Sequence, residues 1–129
     1  MHSARQIPTL VVDDSPAFLR ALCSFLQKQP NLKVVATAQD GQEALTLVMT
    51  LQPELVLLDV QMPGMNGVEA ARQLGSLYPA ICVVMVTAFD TPELRQACLQ
   101  CGARGFIHKN VVRQELPPLL EQVFGVPEA

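Results

Sequence analysis

Residues 9–18 read TLVVDDSPAF. Leu10, Val11 and Val12 run straight into two adjacent carboxylates, Asp13 and Asp14, and Ser15-Pro16 follows at once. Apolar runs belong inside a protein and paired charges do not, so burial ends at Val12. Ser15 is a good helix N-cap and Pro16 suits the first helical position. The stretch therefore reads as a buried strand that emerges at an edge, presents two acids there and turns directly into a helix.

The same device recurs along the chain. Apolar bursts stand at TLVV, KVVATA, ELVLLD, ICVVMV and GFIHK, rich in β-branched residues and mostly without the polar alternation of a half-exposed strand. Strands buried on both faces of a parallel sheet read this way. Between them lie helical stripes: Phe18, Leu19, Leu22, Phe25 and Leu26; Ala44, Leu45, Val48 and Leu51; Val68, Ala71 and Leu74; Leu94, Ala97, Cys98 and Cys101. Thr91-Pro92 repeats the cap of Ser15-Pro16, and Asp40 with Glu43 and Asn66 with Glu69 have capping-box spacing. Pro30-Asn31, Pro53, Pro79 and Gly102 punctuate helix ends.

Alternating strands and helices of this length predict right-handed crossovers. The expected fold is α/β: a flavodoxin-like, doubly wound, five-stranded parallel sheet of order 2-1-3-4-5 with five helices. Residues 1–129 form one domain with a core from about 7 to 124. The last helical segment, RQELPPLLEQVFG, carries Pro117 and Pro118. Because proline suits only a first turn, this helix is expected to begin late, near Leu116, or to open with a distorted turn. It should stop at Gly125, with Pro127 just beyond.

Composition narrows the function classes. Half the residues are hydrophobic and 16% are charged, which suits a compact domain. A net charge of −3 and nine scattered basic residues argue against a nucleic-acid surface on this chain. No apolar run approaches the ~20 residues that span a bilayer, and the start MHSARQIP lacks a signal-peptide core, so the expected location is cytoplasmic. Cys23, Cys82, Cys98 and Cys101 then sit in a reducing compartment, and the lone Cys98-x-x-Cys101 pair reads as small core residues.

In a parallel sheet of this order, the strand ends bring Asp13, Asp14, Asp59, Thr87 and Lys109 to one edge. Each alone has a structural reading, as a helix cap or a solvated charge. Together they place three carboxylates, a hydroxyl and an ammonium in one crevice. Carboxylates ~5 Å apart repel by roughly 3 kcal/mol per pair at an effective dielectric near 20, so the cluster takes up protons or a cation. Hard, partly open oxygen ligands suit Mg²⁺. One carboxylate can then act as nucleophile toward a phosphoryl group, with Lys109 neutralising its oxygens and Thr87 donating to one of them.

With VVDDS, VLLDVQMPGMNGVE, VVMVTAFD and GARGFIHK the chain resembles the receiver domain of bacterial two-component response regulators from about Thr9 to Phe124. The resemblance implies that Asp59 is the phosphoacceptor, Asp14 a direct Mg²⁺ ligand, Asp13 a ligand largely through water and the carbonyl of Gln61 a further ligand. Pro63 and Gly67 would shape the loop after Asp59, and the small Ala88 would leave room for the phosphoryl group. Thr87 and Phe106 match the switch positions, the threonine moving toward the phosphate while the ring turns inward and remodels the face of helix 4, strand 5 and helix 5. Gln61 and Phe89 occupy positions that tune acyl-phosphate hydrolysis.

The implied function is a phosphoacceptor switch driven by a sensor histidine kinase, either stand-alone or as the receiver of a transcriptional regulator, with a homodimer as a further partner state. Asn110 replaces the proline that follows the lysine in many receivers, which is similar to receivers joined to helix-turn-helix domains. The twin prolines of helix 5 depart from the family pattern at the usual dimer face. His108 reads as a non-catalytic strand residue. An alternative is an aspartate-nucleophile phosphatase of the haloacid dehalogenase type, but such enzymes carry an acid where Gln61 stands, and a cap domain is lacking. A nucleotide-binding flavodoxin-like or Rossmann domain would need a GxGxxG after strand 1, which is absent.

Overall fold

A computed structural model describes residues 5–62, 64 and 66–126. Five strand–helix units follow one another: β1 (Ile7–Val12), α1 (Pro16–Gln27), β2 (Leu32–Ala38), α2 (Gly41–Leu51), β3 (Leu55–Asp59), α3 (Gly67–Leu77), β4 (Cys82–Thr87), α4 (Pro92–Gln100), β5 (Gly105–His108) and α5 (Val112–Phe124). The strands are all parallel, in the order β2-β1-β3-β4-β5. Pro63 and Pro127, singled out in the sequence, lie outside the described residues.

Alternation along each central strand divides the core in two. Leu10, Val12, Val56, Leu58, Val83 and Met85 face the side covered by α2, α3 and α4. Ile7, Val11, Leu55, Leu57, Val84 and Val86 face α1 and α5. Sandwiching between two helical layers is why these strands carry so little polar alternation. β2 departs from that expectation. It is the edge strand, with Lys33 and Thr37 exposed, and its register against β1 slips between Thr9 and Leu10.

Each expected cap forms. Ser15, Asp40, Asn66 and Thr91 side chains accept from the amides of Phe18, Glu43, Glu69 and Leu94 at 3.2, 2.8, 2.9 and 3.2 Å. Cys98 and Cys101 lie in the core as free thiols, the Cys101 thiol donating to the Cys98 carbonyl at 3.0 Å.

The C-terminal helix corrects the sequence reading. α5 does not begin near Leu116. It starts at Val112, after a single 3₁₀ turn over Lys109–Val111, and both prolines lie inside it. Pro117 and Pro118 lack amide hydrogens, so the carbonyls of Arg113 and Gln114 lose their helical donors. Burial of Val112, Leu116 and Leu120 on one stripe against the α1 side of the core holds the helix through this interruption. It ends at Gly125, whose φ of 69° is the left-handed cap.

Candidate functional site

The carboxyl edge of the sheet assembles the residues that the strand ends announce. Burial does not end at Val12 as the sequence suggests: Asp13 follows β1 and is 2% exposed. Its Oδ1 accepts from the Ser15 amide at 2.9 Å, tying it to the turn that opens α1. Asp14, one residue on, is exposed. Asp59 closes β3 at 5% exposure, and its Oδ1 accepts a long hydrogen bond of 3.4 Å from the Gln61 amide. One carboxylate oxygen from each of the three acids lies within 4.8 Å of the others.

Lys109 reaches this crevice, as the strand order implies. Its Nζ is 2.7 Å from Asp13 Oδ2 and 3.7 Å from Asp59 Oδ2, so Asp13 takes the closer ion pair. Asp13 Oδ2 is buried, and the ammonium is its counter-charge. One cation among three acids leaves net negative charge in the crevice. Burial first, and then the charge of Asp13, push the Asp59 carboxyl up to about 6, against the opposing pull of Lys109 and the Gln61 amide. Excess charge on hard oxygens gathered within 4.8 Å of one another fits a divalent cation of the Mg²⁺ type held by Asp13, Asp14 and Asp59.

The remaining wall comes from β4 and its loop. Thr87 is fully buried at the end of the strand, and its Oγ1 accepts from the Phe89 amide at 3.0 Å, leaving the hydroxyl proton available to an acceptor. Asp14, Asp59, Gln61, Met62, Ala88, Phe89 and Lys109 line a crevice of about 420 Å³, with Phe89 half exposed at its rim. A larger hollow of about 650 Å³ lies beside it between α3 and α4. There the charged residues Glu69 and Arg72 are paired with each other, so the chemistry belongs to the smaller crevice.

Phe106 of β5 is 9% exposed, and the Arg95 guanidinium lies 4.6 Å from its ring centre. Arg95 is itself held by a fork to Asp90 at 3.0 and 3.1 Å. His108 has a partner that sequence reasoning did not find. Its Nδ1 accepts from the Asn110 amide at 3.0 Å and caps the 3₁₀ turn that carries Lys109. The sequence places Phe18 only on the apolar stripe of α1, yet its ring stands under the Lys109 ammonium at 4.4 Å. Its place one helical turn after Asp14 was the available signal.

A doubly wound parallel sheet that gathers three acids, a buried threonine and a lysine at its carboxyl edge is the receiver type of flavodoxin-like fold. The chain belongs to the response regulator receiver domain family, which it matches over residues 9–121. It is 37% identical over 105 residues to the transcriptional regulatory protein LnrK of Bacillus subtilis, covering 81% of this chain and 48% of that protein. Among solved structures, the receiver domain of the response regulator NarL from Mycobacterium tuberculosis superposes with a TM-score of 0.83 at 32% identity, covering 94% of this chain and 95% of that one. A chain of the CheX–CheY–BeF₃–Mg²⁺ complex from Borrelia burgdorferi superposes with a TM-score of 0.84 at 28% identity, covering 92% of this chain and 89% of that one.

The chain spans about half the length of the curated relatives it matches. The haloacid dehalogenase reading gains no support, since the receiver match covers nearly the whole chain and Gln61 stands where such a phosphatase needs an acid. No helix among the described residues is long and apolar enough to cross a membrane.

Proposed function

We propose that this domain is a phosphoacceptor switch in which Asp59 takes a phosphoryl group from a sensor histidine kinase. The observation that carries the reading is the placement of Asp59 at the floor of the acidic crevice, beside Lys109 and the end of β4. A carboxylate oxygen of Asp59 attacks phosphorus as the bond to the donor nitrogen breaks, giving an aspartyl phosphate. Lys109 balances charge on the phosphoryl oxygens, and Thr87 donates its hydroxyl proton to one of them. Asp13, Asp14, Asp59 and the Gln61 carbonyl would hold Mg²⁺, which when bound supplies charge neutralisation for the crowded acids and the phosphoryl oxygens.

Output follows from moving Thr87. Drawing it toward the phosphoryl group shifts the loop through the Phe89 amide, and Phe106 responds on the neighbouring strand, where it pairs with Met85. The altered face of α4, β5 and α5 is then read by a protein partner, a second copy or an output domain, working in the cytoplasm. Going from mostly inactive to mostly active needs about 5 kcal/mol of differential stabilisation, which the new charge and its contacts must provide. Because LnrK, of which the match covers 48%, is a transcriptional regulatory protein, the effector we favour is a DNA-binding domain rather than this chain.

The test is labelling by a small acyl-phosphate donor such as acetyl phosphate. Label should depend on Mg²⁺, vanish with a chelator and be lost in Asp59→Asn. Labelling that survives Asp59→Asn would overturn the assignment.

A further inference from the structure

Lys109 has a third neighbour besides the two acids. Its Nζ lies over the face of Phe18 on α1, 4.4 Å from the ring centre. We propose that Phe18 is a positioning residue for Lys109, holding the ammonium at the mouth of the site so that it meets the phosphoryl oxygens on Asp59. The inference rests on the roles assigned to Asp59 and Lys109 above.

The physical case begins with solvation. The Lys109 side chain is only 18% exposed, so water supplies part of what an ammonium needs, and the electron-rich ring face supplies another part. A carboxylate could do the same, but it would neutralise the lysine and compete with the phosphoryl oxygens for it. An aromatic face carries no net charge. It can therefore place the cation without consuming its charge, and the lysine can be released from Asp13 toward a new anion without losing this contact.

The ring is also anchored to the site. The Ser15 hydroxyl accepts from the Phe18 amide at 3.2 Å, while the Ser15 amide donates to Asp13 Oδ1 at 2.9 Å. Asp13, Ser15 and Phe18 thus form one hydrogen-bonded turn, and two partners of Lys109, one anionic and one aromatic, are carried on it. The arrangement repeats farther along the cleft between α1 and α5, where the Arg113 guanidinium lies 5.8 Å from the Phe25 ring centre. If Phe18 only filled the core, any apolar side chain of similar size would serve. The contact with Lys109 specifically requires a ring.

The experiment compares Phe18→Leu, which keeps apolar bulk, with Phe18→Tyr, which keeps the ring, using Mg²⁺-dependent labelling by acetyl phosphate. Phe18→Leu should slow labelling about fivefold, and Phe18→Tyr should stay near wild type. In a Lys109→Gln background, Phe18→Leu should cause no further loss, because the contact is already gone. Wild-type labelling by Phe18→Leu, or an equal loss in both backgrounds, would overturn the proposal in favour of simple packing.

Nuclear magnetic resonance gives an activity-free reading. The Lys109 ε protons should be shifted upfield by the ring in the unlabelled wild type. Ordinary ε-proton positions there would overturn the proposal even if Phe18→Leu does not fold. Loss of label in Asp59→Asn alongside normal labelling of Phe18→Leu overturns this role alone, whereas label persisting in Asp59→Asn overturns the site assignment and this role with it.

Discussion

Gly67, the first residue of α3, stands against the backbone of Asp59 so closely that a methyl group on it would lie 2.0 Å from the Asp59 carbonyl oxygen and 2.7 Å from the Val60 Cα. Its amide donates to the Val60 carbonyl at 2.8 Å, so the helix start is locked onto the strand end that presents the acceptor. Gly67→Ala should therefore cost more than about 3 kcal/mol, since backbone cannot move aside as a flexible side chain can. Gly75→Ala, an exposed position on the same helix whose nearest contact would be 3.5 Å, should instead stabilise by about 0.5–1 kcal/mol. Urea unfolding of the two variants checks both signs.

Asp59 sets a pH dependence of stability. Its carboxyl is held at about 6 in the fold against 3.8 as the ordinary value, so the folded state binds the proton more tightly. This contribution is fully present below pH 3.8 and is lost as pH rises through about 6, amounting to about 3 kcal/mol. In chelator-treated protein, Asp59→Asn should match wild type near pH 4 and exceed it by about 2–3 kcal/mol at pH 8. A difference independent of pH, measured by denaturant unfolding across that range, would remove the electrostatic account. Added Mg²⁺ should raise the melting temperature of wild type and leave Asp59→Asn nearly unmoved.

Phe89 stands half exposed on the rim of the crevice that contains Asp59. A ring there obstructs the approach of water to an acyl phosphate. Phe89→Ala should shorten the aspartyl-phosphate lifetime by about three- to tenfold, a change of roughly 1 kcal/mol in barrier. Decay of radiolabelled protein after removal of the donor measures it, and an unchanged lifetime would sink the idea.

Pro118 is exposed and interior to α5, where it denies a hydrogen bond to the Gln114 carbonyl. Pro118→Ala should stabilise the domain by about 1–3 kcal/mol, because the restored amide adds a bond and little packing is lost. Thermal unfolding provides the measure. A destabilised variant would mean that α5 depends on the proline's shape.

The boundaries of most elements were legible because they depend on near neighbours. Caps at Ser15, Asp40, Asn66 and Thr91 act over three residues, and helical stripes and apolar runs are periodic over a few more. The late start expected for α5 failed for a related reason. Proline preference is local, but Val112, Leu116 and Leu120 are held by strands and a helix distant in sequence.

The site divides in the same way. By itself the sequence determined which residues reach the carboxyl edge, since each apolar burst ends at a polar side chain, Asp13, Asp59 or Thr87, although the fold buries all three. Only the tertiary structure decided that Lys109 pairs more closely with Asp13 than with Asp59, and that Phe18 lies beneath it. Those distances are set by how α1 and the end of β5 pack across the sheet. No spacing along the chain encodes such a distance, because it is the sum of many contacts rather than the property of one segment.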